Sequence, residues 1–409
     1  MLDEVAQLDS FRLEIRSWCE QHVPKNWRKE QVGASYEQFV EFHKWWASQL
    51  RNAGYLAPHW PKEWGGGGFS LAQQVVFAEE LSRGDVPRNA LYQVALYNAG
   101  PTILHAGTPE QKQRFLPGIL SGDVWCQGFS EPNAGSDLAS LSTKAVKDGD
   151  NYVVTGQKVW TSMGHEADWC ILLARTNPDV PKRNGISFFL MDMKSPGVEV
   201  RRIKQATGQS EFCETFLDEV LIPKENLLGP ENEGWQVSQS TLASERGVVI
   251  IELSERLRRN GVEALIRKAG EWTLEDGSLA VNSVEVQDML VTRYAEISVL
   301  RMLLNRMISN ILRRGGVGPE ASVVKLYYSE LLHNVMKDGT NLQGFASQLE
   351  YPPLLSAGLE SGVWMNDYVN SWSWTIGGGT SEIMRNIIGE RVLGLPREPE
   401  VAVKKGAVK

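Results

Sequence analysis

The spacing of apolar residues changes twice along the chain. Up to about residue 123, apolar side chains recur every three or four positions, as they do on one face of a helix. Examples are Phe39, Phe42, Trp46 and Leu50. Thr108 and Pro109 together predict the start of a further helix, with Thr108 as its N-cap. The first segment is therefore predicted to be helical.

From about residue 124 to residue 228 the apolar runs become short, and turn residues separate them, which is typical of strands. The runs are 145–146, 152–160, 170–174, 186–191, 198–200 and 216–222. Gly149, between Asp148 and Asp150, predicts a hairpin that joins the first two runs. We expect a compact antiparallel sandwich or barrel in this segment.

The helical period returns after Gly229 and Pro230. One apolar stripe extends from Val286 to Ile311, and it includes Tyr294. Long helices with wide apolar stripes pack on one another, so a bundle is expected. The predicted fold class is an α+β multidomain protein. It comprises an N-terminal helical domain (1–123), a middle β domain (124–228) and a C-terminal helical bundle (229–409).

Bulk properties narrow the class of protein. A net charge of −8 on 409 residues gives no support to binding of nucleic acid or of an acidic membrane surface. Four widely spaced cysteines without a Cys-x-x-Cys pair favour buried thiols in a reducing compartment over disulfides or a bound metal. The first residues lack a basic region followed by an apolar core, and no apolar run approaches membrane-spanning length. We therefore expect a cytoplasmic protein.

Two short stretches carry most of the candidate chemistry. Residues 129–137 read FSEPNAGSD, and residues 156–162 read GQKVWTS. Small residues in the first stretch let backbone N–H groups approach an anion or a planar heterocycle. The second stretch ends a strand with an aromatic ring and two hydroxyls, which suits one flat face and a few directed hydrogen bonds. A tight connection without a ligand is the alternative, because Gly, Ser and Asn are ordinary turn residues.

In order and spacing, the two stretches resemble the flavin-binding signature of the acyl-CoA dehydrogenase family. Similar segments occur at 54–58 (GYLAP), 61–66 (PKEWGG), 107–112 (GTPEQK) and 379–382 (GTSE), so the resemblance covers essentially the whole chain. The family fold has two helical domains around a small β domain, in agreement with the pattern above. The resemblance implies FAD as cofactor, an acyl-CoA thioester as substrate and an electron-transferring flavoprotein as acceptor.

The cofactor positions of the family carry over one at a time. Phe129 and Ser130 would meet the pyrimidine edge of the flavin, Trp160 would flank the isoalloxazine, and Ser162 would donate toward N5. The complete implied cofactor set is Phe129, Ser130, Gly135, Ser136, Trp160, Thr161, Ser162, Thr380, Ser381 and Glu382. The implied substrate-binding residues are Ser136, Arg246 and Gly379.

Family members oxidise the Cα–Cβ bond of the thioester, and a carboxylate removes the α-proton. The commonest position of this base matches Gly378, which cannot accept a proton. A minority, resembling the isovaleryl and long-chain enzymes, place the base in a Glu-Arg dipeptide of the C-terminal domain, which matches Glu245-Arg246. The resemblance therefore implies Glu245 as the base, with Arg246 holding its helix or the substrate. An exposed glutamate beside an arginine is the alternative interpretation.

Two segments depart from the family pattern. Members carry Arg-x-x-Phe-Gly, lent across the dimer to the flavin pyrophosphate, where this chain has Asp276 and the residues after it. Residues 337–344 (KDGTNLQG) do not match the family segment Gln-x-x-Gly-Gly-x-Gly. The combination resembles the base-bearing chain of the two-chain acyl-CoA dehydrogenases of steroid side-chain breakdown. It implies a homologous second chain in an α2β2 assembly and a bulky, steroid-like or branched acyl group.

Three alternatives stay open at this point. A homo-oligomer is one, with Arg293 or Lys325 in the role of the missing arginine. An acyl-CoA oxidase that uses oxygen directly is the second. The third is a flavin-free structural subunit of a heteromeric dehydrogenase, because part of the flavin site is missing.

Overall fold

The computed structural model describes residues 2–31, 33–245, 248–349 and 361–397, without the side chains of residues 2–5, 242–245 and 248. Helices come first, as predicted, and Thr108 caps the last of them by accepting a hydrogen bond from the Gln111 N–H. A π-helical segment, Ala95–Ala99, leads directly into the fifth helix. The helices are α1 (Leu2–His22), α2 (Trp27–Glu30), α3 (Tyr36–Asn52), α4 (Leu71–Arg83), α5 (Gly100–Ala106) and α6 (Pro109–Ser121).

Seven strands form one sheet in the middle of the chain. They are β1 (Trp125–Gly128), β2 (Lys144–Asp148), β3 (Asn151–Val159), β4 (Trp169–Arg175), β5 (Ile186–Asp192), β6 (Val198–Arg202) and β7 (Cys213–Pro223). The strand order is β1-β4-β2-β3-β7-β6, and β5 also pairs with β4. The predicted β2–β3 hairpin is confirmed, because Asp148 pairs with Asn151 and Gly149 has a φ of +57°.

The sheet differs from the sequence prediction at two places. It is not purely antiparallel, since β1 runs parallel to β4 with Trp125 opposite Trp169. The segment between these strands contains the β2–β3 hairpin, which is long enough for the crossover that parallel strands need. In addition, β3 ends at Val159, so the prediction that Trp160 belongs to the strand is wrong. Trp160 has a φ of +63°, which ends the extended backbone.

Helices return after the sheet and form a second core. Val286, Leu290 and Ile297 of the predicted long stripe are buried, but Tyr294 is exposed. The helices are α7 (Gly234–Glu245), α8 (Val248–Arg256), α9 (Ala264–Ala269), α10 (Val284–Arg314), α11 (Ala321–Gln343), α12 (Trp364–Ile376) and α13 (Ser381–Ile387). None of the helices within the described ranges is both long and apolar enough to cross a membrane.

Helix α7 occupies the junction of the three segments. It packs on β5 of the sheet and on α5 of the first helical group, by which we mean α1–α6. Helix α8 packs on α4 of the same group. The backbone of Gly234 lies against β5 so closely that a Cβ there would come within 2.4 Å of the Ser187 carbonyl carbon. The start of α7 is therefore fixed against the sheet.

Candidate functional site

A buried ion pair joins the two motif stretches. The Lys158 Nζ lies 2.8 Å from Glu131 Oε1, and both side chains are almost completely buried. Glu131 also accepts hydrogen bonds from the backbone N–H groups of Ser142 (2.6 Å) and Thr143 (2.9 Å). Both oxygens of the carboxylate thus have partners, which a buried charge needs in order to be tolerated.

The same ion pair fixes the backbone of the first stretch against the end of β3. Lys158 donates a second hydrogen bond to the Phe129 carbonyl (3.2 Å), and the Val159 N–H donates to the Ser130 carbonyl (3.0 Å). Burial raises the pKa of Glu131, but the Lys158 charge and the hydrogen bonds outweigh it and hold this pKa at about 2. Burial lowers the pKa of Lys158, and Glu131 opposes that change. Glu131 is therefore ionised at neutral pH.

Trp160 is turned out of the sheet and presents its ring. The indole is 57% exposed and touches Phe212 edge to face, with ring centroids 6.0 Å apart. The next residue, Thr161, is buried, and both its N–H and its hydroxyl donate to the Cys213 carbonyl of β7. Ser162 is half-buried behind it. The anchored threonine fixes the backbone next to the exposed ring.

A tight turn within the first stretch leaves small residues at the surface. Glu131 and Ala134 exchange two backbone hydrogen bonds of 3.1 Å. Gly135 and Ser136 follow the turn and are exposed, and a Cβ on Gly135 would meet nothing within 4 Å. Asp137 is held by Lys182, whose Nζ lies 3.1 Å from the carboxylate. Gly135 therefore leaves open backbone at the surface that a ligand could approach.

The C-terminal candidates lie at the start of α13. Gly378 and Gly379 both have positive φ, of +68° and +105°, and the Gly379 carbonyl accepts a hydrogen bond from Lys325 Nζ (2.6 Å). Thr380 is the N-cap of α13, and its side chain accepts a hydrogen bond from the Ile383 N–H (3.2 Å). The hydroxyl of Ser381 is buried without a hydrogen-bond partner among the described residues, and Glu382 is exposed.

Helix α7 carries the predicted base at its last residue. Glu245 is helical, but its side chain and all of Arg246 lie outside the described residues. One turn earlier, the buried Thr241 hydroxyl lies 2.7 Å from the Thr102 hydroxyl of α5, which in turn donates to the Asn98 carbonyl. This contact between hydroxyls ties the end of α7 to the first helical group.

Sequence reasoning missed these supporting residues. Lys158 stands in a strand whose inward positions are apolar, and such a lysine needs a buried acid, so its pairing with Glu131 could have been predicted. Asn98 and Thr102, one turn apart in an apolar helix, give a weaker signal of the same kind. Asn98 donates to the Gln127 side chain of β1 (2.7 Å), a contact that no spacing along the chain indicates.

The segments that depart from the family pattern lie outside the two motif stretches. Asp276 is exposed in a turn and accepts hydrogen bonds from the Ser278 N–H (2.9 Å) and hydroxyl (2.7 Å), which lower its pKa. Arg293 binds two carboxylates, those of Glu296 and Asp338, each at 2.6 Å. An acid therefore stands where the resemblance expects an arginine, and Arg293 is already engaged within the chain.

Three family models match the chain. Residues 6–123 match the acyl-CoA dehydrogenase N-terminal domain, residues 126–220 its middle domain and residues 232–393 its C-terminal domain. Acyl-CoA dehydrogenase IpdE1 of Mycobacterium tuberculosis is 34% identical over 96% of this chain and 98% of its own length. Acyl-CoA dehydrogenase FadE34 of the same organism is 40% identical over 85% of this chain, which spans 46% of the length of FadE34.

Solved structures agree with these matches. A Tcur3481-Tcur3483 steroid ACAD is 30% identical with a TM-score of 0.81, over 96% of this chain and 98% of that one. The ChsE4-ChsE5 complex from Mycobacterium tuberculosis is 31% identical with a TM-score of 0.77, again over 96% and 98%. The helix–sheet–helix order, the joined motif stretches and these likenesses lead to one conclusion. The chain belongs to the acyl-CoA dehydrogenase family.

Proposed function

We propose that this protein is an FAD-dependent acyl-CoA dehydrogenase that removes hydrogen from Cα and Cβ of a thioester, with Glu245 as the base. The observation that carries the proposal is the buried Lys158–Glu131 ion pair. It holds Phe129 and Ser130 beside the strand end that presents Trp160. The two halves of the signature are therefore joined by direct hydrogen bonds, which supports a common role.

FAD is the cofactor of this family, and the residues present fit it. Trp160 offers an exposed ring face, Gly135 leaves open space beside the backbone, and the Ser381 hydroxyl is buried without a partner among the described residues. When bound, FAD would supply the acceptor for the β-hydrogen. The residues that would hold it are Phe129, Ser130, Gly135, Ser136, Trp160, Thr161, Ser162, Thr380, Ser381 and Glu382.

Glu245 would take the α-proton of the substrate. The α-proton of a thioester is a weak acid, so its removal needs a carboxylate placed against Cα and shielded from water. The position of α7 supports this role, because its first residue packs against β5 and Thr241, near its end, contacts Thr102 of α5. Gly378, at the other family position for the base, has no side chain. Arg246 would hold the helix or the substrate, and Ser136 and Gly379 would line the thioester site.

The partner is proposed to be a homologous second chain. Asp276 stands where an arginine would reach a neighbouring cofactor, so two identical chains would each lack that contact. The likeness to the ChsE4-ChsE5 complex supports a heteromer. The steroid ACAD likeness supports a bulky, steroid-like or branched acyl group. We also assign an electron-transferring flavoprotein as acceptor and a cytoplasmic location, where four buried free cysteines stay reduced.

The test is flavin reduction by a panel of CoA thioesters under anaerobic conditions, with the homologous chain co-expressed. Glu245→Gln should keep FAD and the fold but slow flavin reduction roughly 10²–10⁴-fold, the usual contribution of a positioned base. Glu231→Gln, an exposed glutamate just before α7, is the matched control and should reduce at the normal rate. Near-normal reduction of Glu245→Gln would refute the assignment. Colourless protein would favour a structural subunit, and turnover with oxygen alone would favour an oxidase.

A further inference from the structure

The π-helical segment Ala95–Ala99 lies where the first helical group meets both the sheet and α7. It packs on α7 and on β1, and it continues directly into α5. A π-helical turn shifts the backbone hydrogen bonds of a helix, and such turns are frequent at functional sites. The Leu96 carbonyl accepts hydrogen bonds from two side chains outside the helix, Trp60 Nε1 (3.0 Å) and His59 Nε2 (3.2 Å). The segment is therefore fixed from outside as well as by its own helix.

Two buried polar side chains connect this segment to different elements. Asn98, within the π-helical segment, donates from Nδ2 to the Gln127 side chain of β1 (2.7 Å). Thr102, one turn later in α5, donates to the Asn98 carbonyl (2.7 Å), and its hydroxyl oxygen lies 2.7 Å from that of Thr241 in α7. Asn98 is 7% exposed, and neither threonine is exposed at all. The chain of contacts therefore joins β1, the π-helical segment and α7.

The direction of the hydrogen bond between the two threonines follows from the hydrogens available. A threonine hydroxyl has one hydrogen to donate and can accept as well. The Thr102 hydrogen goes to the Asn98 carbonyl, so Thr241 has to be the donor in the contact between the two hydroxyls. Thr102 thus accepts from α7 and donates to the π-helical segment. Buried polar networks that are satisfied in this way rigidify the packing around them.

The two ends of this chain of contacts lie next to the two halves of the proposed site. Thr241 precedes Glu245, the last residue of α7, by one helical turn, so the turn that Thr241 anchors also sets the backbone position of Glu245. Gln127 lies two residues before Phe129, the first residue of the first motif stretch. A reacting group that is misplaced by about 1 Å can slow a reaction about 10²-fold. The link between α7 and β1 therefore bears on the rate of the proposed reaction.

We propose that Thr102 and Thr241 are positioning residues, which hold the backbone of Glu245 at its working distance from the first motif stretch. Asn98 connects this contact to the sheet through Gln127. The inference rests on the proposed function, since it concerns the base assigned there. The two hydroxyls act through the helix and contact neither the substrate nor the cofactor. Their loss should therefore slow α-proton removal and leave binding unchanged.

The test is stopped-flow reduction of the flavin-loaded complex with the homologous chain, at increasing concentrations of the CoA thioester that reacts fastest in the panel. The limiting rate reports the chemical step, and the half-saturating concentration reports binding. Thr241→Val and Thr102→Val should each lower the limiting rate roughly tenfold to a hundredfold. The half-saturating concentration and the FAD content should stay at the wild-type values. Thr241→Ser and Thr102→Ser keep the hydroxyl and should react at close to the wild-type rate.

Two further variants separate positioning from a general loss of structure. The double variant Thr102→Val with Thr241→Val should be no slower than the slower single variant, because both changes remove the same contact. Ser329→Ala is the matched control, since it removes a buried hydroxyl that donates within its own helix, to the Leu326 carbonyl (3.1 Å), and it should keep the wild-type rate. Wild-type rates in both valine variants would overturn the inference. So would serine variants as slow as the valine variants, or a parallel loss of FAD and of substrate binding.

Glu245→Gln, measured in the same experiment, distinguishes this inference from the proposed function. If Glu245→Gln is slow and Thr241→Val reacts at the wild-type rate, the positioning role is wrong and the assignment of the base stands. If Glu245→Gln itself reduces the flavin at the normal rate, the proposed function fails, and the positioning role fails with it.

Discussion

At the residue scale, the Lys158 ammonium is the group on which the candidate site depends most. It holds both the Phe129 carbonyl and the Glu131 carboxylate, and it is itself fully buried. A neutral side chain of similar length at this position would leave Glu131 as an unpaired buried charge. The local geometry of the cofactor surface and the stability of the fold therefore depend on the same contact.

We expect Lys158→Met to destabilise the fold by about 3–5 kcal/mol, the usual cost of removing one partner of a buried ion pair. The free energy of unfolding in urea measures this. Lys182→Met is the matched control, because it removes the lysine of an exposed pair with Asp137 and should cost at most about 1 kcal/mol. Similar losses in the two variants would show that the Lys158 pair contributes no more than a surface pair.

The lowered pKa of Glu131 predicts how the free energy of unfolding depends on pH. Its pKa is about 2 in the folded protein, against an ordinary value of 4.5. A carboxyl group with a lowered folded pKa stabilises the fold above its unfolded pKa, and that contribution is lost as the pH falls through the folded value. The free energy of unfolding should therefore fall between about pH 4.5 and about pH 2. In Glu131→Gln this part of the fall should be absent, as urea unfolding at about pH 5 and about pH 3 would measure. An equal fall in both proteins would refute the assignment.

At the scale of elements, the contact between α7 and β5 fixes where α7 begins. Gly234 begins this helix, and a Cβ there would lie 2.4 Å from the Ser187 carbonyl carbon and 2.5 Å from the Phe188 nitrogen. These are backbone atoms, so the helix itself has to move to make room. Gly234→Ala should therefore cost about 1–3 kcal/mol, as overpacking usually does, and displace the end of α7.

Thermal unfolding and the rate of flavin reduction test this prediction together. The matched control is Gly316→Ala, since Gly316 lies in a loop where an added Cβ meets nothing within 4 Å. The control should keep the wild-type Tm and rate, whereas Gly234→Ala should lower both. If Gly234→Ala matches the control, the close approach of α7 to β5 does not position the base.

Local rules predicted the elements that depend on neighbouring residues. The cap at Thr108 and the turn at Gly149 follow from side-chain and backbone preferences within a few positions, and both were confirmed. The parallel pairing of β1 with β4 and the end of β3 before Trp160 were not predicted. Both depend on contacts distant in sequence, such as the anchoring of Thr161 to Cys213. Propensity within one segment contains no information about such pairings.

Of the candidate site, too, only one part could be predicted from the sequence. The motif residues could be identified from the sequence, because their order along the chain is itself the signal. Their support could not, since Thr102 meets Thr241 across 139 positions and Asn98 meets Gln127 across 29. Contacts of this kind follow from how whole elements pack. The limits between the three domains, and the roles of individual site residues, stay predictions.

At the scale of the whole molecule, the arrangement of charges bears on assembly. By the resemblance, an arginine of one chain would reach the cofactor pyrophosphate of its neighbour, and we place Asp276 at that position here. Arg293 is bound to Glu296 and Asp338, and Lys325 donates to the Gly379 carbonyl, so both proposed replacements already have contacts within the chain. A homodimer would thus bring a carboxylate toward each pyrophosphate.

We therefore expect the chain alone to retain FAD poorly and to become competent beside a homologous chain that carries the arginine. Loss of a charge-assisted hydrogen bond, about 1.5–3 kcal/mol, lowers cofactor affinity roughly tenfold to a few hundredfold, and repulsion by Asp276 adds to that. Light scattering and flavin absorbance should show an α2β2 assembly with one FAD per unlike pair. Asp276→Arg should raise the flavin content of the chain alone, whereas Asp179→Arg, at another exposed aspartate, should not. A homotetramer with one FAD per chain and full dehydrogenase activity would disprove the heteromer, because identical chains would then supply every contact that the cofactor needs.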